Sequence, residues 1–147
     1  TLMDLGSEAV VETLHLIENG NTDPKVQTDT DDIKTAYKLN KENCKIDWTK
    51  SGKEIHNLIR GLSPYPAAWT YFADKDQEWN VKIYEARFIG EIHSETIGRI
   101  TTTKKEMKIA TKDGYIEIVQ LQFPGKKNLK TFELLNGIAF SEEAKAF

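Results

Sequence analysis

Apolar residues follow two different rhythms along this chain, and the change of rhythm divides it. From Leu2 to Asn19 they recur at helical spacing, and Gly20 follows as a residue able to take the left-handed conformation that closes a helix. At 100° per residue, Leu2, Met3, Leu5, Ala9, Val10, Val11, Leu14, Leu16 and Ile17 cover about two-thirds of the circumference, leaving Asp4, Glu8, Glu12, His15 and Glu18 on the remainder. That face is too wide for a helix lying on one small domain. Its expected partner is further protein, or a second copy of this chain in a non-native dimer through helix 2–19. Residues 21–36 then run polar and acidic around Pro24, too poor in apolar residues for a core, and read as a linker.

From residue 37 the pattern becomes that of a compact unit. Ser51 followed by Glu54 is a capping box, and Ile55, Leu58, Ile59 and Leu62 form one stripe, which predicts a helix over 52–60 stopped by Gly61 and Pro64. Strand-like segments follow at 67–73, 79–89, 98–103, 106–111 and 115–123. Lys112-Asp113-Gly114 joins the last two as a hairpin, with Gly114 expected to supply a positive φ. Ile116 and Ile118 alternate, then Leu121 and Phe123 continue in the opposite phase, so a bulge is expected near Val119. A last helical turn covers 131–136 before Gly137. Five short strands, one helix and no βαβ crossover predict a mainly β fold with short helices. The expectation is a small antiparallel, OB-like β-barrel over 37–147, preceded by an N-terminal helix (1–20) and a linker (21–36).

Composition narrows the class without naming a function. The 147 residues are 39% hydrophobic and 29% charged, which excludes collagen-like, low-complexity and wholly disordered chains. No apolar run reaches the roughly 18 residues of a membrane span and no basic-then-apolar leader is visible, so a cytoplasmic protein without a membrane partner is expected. The start at Thr1, with the first methionine at Met3, suggests a piece of a longer chain. Cys44 stands alone, which excludes an intramolecular disulfide and a thiolate zinc cluster within one chain.

The net charge of -3 conceals an asymmetry: residues 1–32 carry -7, residues 33–97 carry +1, residues 98–130 carry +5 and the remainder -2. The basic third permits an anionic partner, although a solvated lysine face gives the same count. His15, His56 and His93 form no spaced ligand pair; Glu91 and His93 could offer two ligands from one expected strand face, with no third partner apparent. Asp74 and Asp76 read as turn formers. No nucleophile elbow, P-loop or dinucleotide fingerprint is present, so no catalytic, cofactor-binding or metal-binding residue is assigned. What remains is lysine and arginine interleaved with small polar residues, suited to sequence-tolerant phosphate contacts that weaken with salt. Tyr65, Trp69, Tyr71 and Tyr115 are candidates for base stacking, with core packing preferred for the tryptophan.

A more specific signal lies in Ile46-Asp47-Trp48, then Ser51, then Ile55-His56-Asn57-Leu58-Ile59-Arg60-Gly61-Leu62-Ser63-Pro64-Tyr65-Pro66-Ala67-Ala68-Trp69-Thr70. A second block comprises Asp113-Gly114 through Leu121-Gln122, Pro124-Gly125-Lys126-Lys127 and Leu134-Leu135-Asn136-Gly137. Both resemble the C-terminal domain of the methionyl-tRNA formyltransferase family, and Gly6 to Gly20 is similar to the helix that ends its N-terminal domain. Ala67 stands where that family often has glycine, and Leu129 where it often has methionine. Independently of the family, Pro64 and Pro66 each fix a φ angle and aim the following strand, while Trp48 and Trp69 are expected to supply core and Arg60 is expected to be exposed.

The resemblance implies an OB-like barrel that helps hold initiator methionyl-tRNA. It also implies an N-terminal Rossmann-like formyltransferase domain in the same polypeptide, which moves a formyl group from the co-substrate 10-formyltetrahydrofolate to the methionyl amino group through an asparagine, a histidine and an aspartate. No residue here matches those positions. The tRNA-binding candidates are Lys41, Arg60, Arg99, Lys104, Lys105, Lys108, Lys112, Lys126, Lys127 and Lys130. The alternative is a structural accessory barrel of a related formyltransferase acting on a nucleotide sugar or another small substrate.

Overall fold

The computed structural model describes residues 1–26 and 35–147, so residues 27–34 of the expected linker lie outside the described residues. Two compact units are present, Thr1–Tyr37 and Lys38–Phe147. In the first, helix α1 spans Leu2–Glu18. Gly20 takes φ 69°, and its N–H donates to the Ile17 carbonyl (3.1 Å) while the Asn21 N–H donates to that of Leu16 (2.9 Å). Two end carbonyls are thereby satisfied, the role a terminal glycine serves. Every residue of α1 is exposed, including Leu2 at 90%. Among the described residues no helix is long and apolar enough to cross a membrane.

The second unit is a nearly closed antiparallel barrel with short helices. Helix α2, Gly52–Leu62, begins with the expected capping box: the Ser51 hydroxyl accepts the Glu54 N–H (3.3 Å), and the Glu54 carboxylate accepts the Ser51 N–H (3.0 Å). Gly61 does not stop it. The helix continues one residue further and ends where Ser63, preceding Pro64, turns extended with ψ 140°, as steric conflict with the proline ring favours. Ile55, Ile59 and Leu62 are buried beneath it.

Strands β1 (Ala68–Asp74) and β2 (Gln77–Ile89) form a hairpin in which Trp69 faces Lys82 and Tyr71 faces Asn80. Along β1, Ala68, Thr70, Phe72 and Asp74 point inward while Trp69, Tyr71 and Ala73 are only half-buried, the period of a pleated strand. The thirteen-residue β2 serves two neighbours, pairing β1 along its first half and β5 (Gly114–Gln122) along its second. Register slips around Tyr84 and Val119, which is the expected bulge and the reason the buried phase of β5 changes between Ile118 and Leu121. Strands β3 (Ile100–Thr102) and β4 (Met107–Thr111) extend the sheet beyond β5. Lys112 and Asp113 make the two-residue turn between β4 and β5. Gly114 follows at φ 154°, and a Cβ there would stand 2.0 Å from the Ile89 carbonyl oxygen, so close approach to β2 is what demands the glycine.

Two strands were not anticipated: β6 (Leu129–Lys130), which pairs β5 ahead of helix α3 (Thr131–Leu135), and β7 (Lys145–Ala146). Among the described residues the strand total is therefore seven, not five. β7 pairs with β1 on one side, while the Ala146 N–H reaches the Gly98 carbonyl (2.7 Å) and the Ile100 N–H reaches that of Ala144 (2.9 Å) on the other. The tail thus bridges the two ends of the sheet. Phe72, Val81, Ile83, Ile109, Ile116 and Leu121 fill the interior with at most 1% exposure. Trp48 is also core, its Nε1–H donating to Thr70 Oγ1 (2.9 Å), and that hydroxyl donates in turn to the Phe147 carbonyl (3.0 Å). A buried indole N–H is costly unless partnered, so this chain of bonds ties the signature segment to the tail.

Candidate functional site

The outward residues of β1 build an aromatic and cationic surface. Trp69 and Tyr71 meet edge to face with ring centroids 5.3 Å apart, and Tyr71 stacks on Phe147 at 5.6 Å. Residues 44–46 run alongside, the Trp69 N–H donating to the Cys44 carbonyl (3.1 Å) and the Ile46 N–H to that of Trp69 (2.8 Å). This places the Lys45 ammonium within 5.4 to 5.8 Å of all three rings. Lys41 stands 5.3 Å from Trp69, whose Nε1–H donates to the Lys41 carbonyl (2.7 Å), and Lys145 lies 6.0 Å from Phe147. Ammonium groups at these separations are attracted by the negative ring faces. Trp69 therefore packs on the core from outside and is not a member of it, which corrects the expectation that it supplies core.

Because Trp69 faces Lys82 and Lys82 faces Gln122, one row crosses the outer surfaces of β1, β2 and β5. Gln122 receives the Tyr84 hydroxyl (2.9 Å) and donates its amide N–H to the Lys126 carbonyl (2.9 Å), which holds the loop of Lys126 and Lys127 against that row. A hollow of about 380 Å³ beside Trp69 is lined by Leu39, Lys41, Cys44, Tyr65, Pro66 and Lys82, among others, and a second, of about 250 Å³, shares Asn80 and Lys82 with it and ends at Gly125. Glu42 and Asp47 line the depression that runs by Lys45 and Phe147. The Thr49 hydroxyl (2.6 Å) and N–H (3.0 Å) hold the Asp47 carboxyl below the ordinary carboxylate range, so it is charged.

The candidates chosen from the sequence are distributed differently. Lys41 belongs to the aromatic surface, and Lys126 and Lys127 lie in the loop held against the Lys82 row. Lys104 and Lys105 occupy the turn between β3 and β4, whereas Lys112 is in the turn at the opposite end of β4, about 17 Å away at ~3.4 Å per residue. Lys108 faces Glu117, which also lies 3.9 Å from Arg87. Lys130 is exposed on β6 opposite Gln120. Arg99 is paired with Glu95 at 2.7 Å, and Arg60, exposed on α2, donates to the Asn57 side chain at 3.0 Å. Lys45, Lys82 and Lys145 were missed. For Lys82 a signal existed: once Lys75-Asp76 is read as a hairpin turn, counting back sets it opposite Trp69.

The remaining stacking and metal candidates have structural roles. His93 accepts the Glu95 N–H at Nδ1 (3.1 Å), which leaves Nε2–H to donate to the Gly114 carbonyl (2.9 Å). Its ring lies 4.4 Å from that of Tyr115, whose phenol is pushed above its ordinary value by burial and then by the negative Glu95 and Glu91. Cys44 is buried, and among the described residues no three His, Cys, Asp or Glu are grouped to hold a metal.

Comparison with known proteins bears on the same region. Residues 38–139 match the family model described as formyl transferase, C-terminal domain. A methionyl-tRNA formyltransferase of Flavobacterium johnsoniae is 61% identical over 146 residues, covering 99% of this chain and 46% of that protein. One from Bacteroides thetaiotaomicron is 42% identical over 149 residues, covering 98% of this chain and again 46% of its own length. The chain thus spans about half the length of the relatives it matches. Among solved structures, a variant of HypX from Aquifex aeolicus superimposes with a TM-score of 0.57 at 20% identity, over 91% of this chain and 24% of that one, a likeness of fold.

Proposed function

Because the chain belongs to the formyl transferase C-terminal domain family, we propose that it is the tRNA-binding domain of a cytoplasmic methionyl-tRNA formyltransferase. The catalytic step in this reading is performed by an N-terminal domain of the same polypeptide, which takes the formyl group from 10-formyltetrahydrofolate. The apolar face of α1 belongs against that domain. The barrel's contribution is to grip the body of initiator methionyl-tRNA, adding binding energy and orientation to chemistry it does not touch. The observation that carries this reading is the run of ammonium groups from Lys45 and Lys41 across Lys82 to the Lys126 loop, over a sheet face whose aromatic rings are partly open. Point charges on a firm β surface suit a phosphate backbone and carry no base readout.

Fluorescence anisotropy of labelled initiator tRNA at 50–200 mM salt tests it. Expected is a dissociation constant on the order of 10⁻⁴–10⁻⁶ M at physiological salt that weakens steeply as salt rises. No binding at low salt, or binding indifferent to salt, overturns the reading in favour of a barrel that is only a structural accessory.

A further inference from the structure

Tyr65 is 89% exposed at the mouth of the hollow beside Trp69, held between Pro64 and Pro66. Proline rings fix the φ angles on either side of it, and the Ala67 N–H donates to the Leu62 carbonyl (2.9 Å), drawing the loop closed. The ring has no hydrogen-bonded partner among the described residues. An aromatic side chain this exposed forfeits apolar burial, while the stiff loop beneath it removes the ordering cost a ligand would otherwise meet.

We propose that Tyr65 is a stacking platform for one unpaired nucleobase of a bound RNA, with Lys41 and Lys82 receiving the flanking phosphates. This rests on the RNA-binding reading above. The hollow of about 380 Å³ falls at the lower end of the range for small-ligand sites, ~300–1,000 Å³. Its walls are Pro66 and Trp69, its rim holds two lysines, and none of its lining residues is acidic. Trp69 is fixed in place by its bond to the Lys41 carbonyl, so it serves as wall and Tyr65 as the accessible face. A base inside a helix has its faces covered by its neighbours, and A-form grooves offer no ring face to an aromatic side chain; the occupant is therefore a loop or terminal nucleotide. Stacking of this kind tolerates any base.

The test compares the unaltered chain with Tyr65→Ala, Tyr65→Phe and Tyr65→Trp on two probes, a blunt-ended RNA duplex of two strands with no loop and the same duplex with a four-nucleotide single-stranded extension. Expected is that Tyr65→Ala loses about 5- to 100-fold in affinity for the extended probe, with no change for the blunt one and none in the slope of affinity against salt. Tyr65→Phe and Tyr65→Trp retain binding. If the unaltered chain binds RNA and Tyr65→Ala matches it on both probes, or weakens both equally, the stacking platform is refuted while the broader reading stands. If the unaltered chain binds neither probe nor tRNA at low salt, both fail together. Because Tyr65 is exposed, an unchanged thermal midpoint accompanies every variant.

Discussion

Ser141 donates both its backbone N–H (2.9 Å) and its hydroxyl to the two carboxylate oxygens of Asp74. Asp74 ends β1 and is buried, and Ser141 opens the tail that closes the barrel, so one side chain joins residues 67 positions apart. These bonds, the hydroxyl's first and then the backbone's, hold the Asp74 carboxyl below its ordinary value.

A carboxyl depressed in the folded state stabilises the fold above its unfolded value, about 3.9, and that stabilisation is lost as pH falls through the folded value. Asp74→Asn is therefore expected to be less stable than the unaltered chain at pH 7, with the difference shrinking below about pH 4. Urea unfolding at pH 7, 5 and 3 measures this. A gap of equal size at pH 3 would show that the charge is not what matters.

Asp113 makes a second long-range clasp. Its carboxylate accepts the Gly52 N–H at 2.7 Å, so the turn between β4 and β5 satisfies an otherwise orphan donor in the first turn of α2. Removing it in Asp113→Ala should cost about 1.5–3 kcal/mol, the range for bonds to charged groups, by chemical denaturation. Asp113→Asn keeps an acceptor oxygen and should lose less.

Phe72 lies at the centre of the aromatic core, 6.0 Å from Phe123 and 6.3 Å from Phe140 by ring centroid, with no exposure. Phe72→Ala is expected to lower unfolding free energy by about 3–5 kcal/mol. Phe72→Leu should recover part of that. A loss below 1 kcal/mol for the alanine variant would mean that the core collapses around the void.

The distribution of lysines makes a graded prediction for tRNA binding. Lys41→Ala and Lys82→Ala should each reduce the slope of log affinity against log salt by about 1. Lys112→Ala, at the far end of β4 from the Lys104–Lys105 turn and beside Asp113, should leave the slope unchanged. A larger effect at Lys112 than at Lys82 would move the interface to the other end of the barrel.

Much of the secondary structure was legible from local signals. The capping box at Ser51 and the phase change at Val119 each act over a few residues, and each appears where the residues predict it. The closing strand was not legible. Lys145 and Ala146 are too few to alternate, and they become a strand only because β1 and Gly98 offer unpaired backbone groups on either side. Gly114 shows the same limit: its place in a hairpin was readable, but its necessity comes from the Ile89 carbonyl on another strand.

Sequence by itself determined the family signature, the mainly β class and the presence of a basic third, because residue identity and short-range periodicity carry those properties. Tertiary structure alone decided which cations share a face. Lys45 and Lys145 join Lys41 around Trp69, Tyr71 and Phe147, while Arg99 is taken up by Glu95. Strand pairing sets those neighbours. It brings together residues whose separation along the chain holds no record of their separation in space.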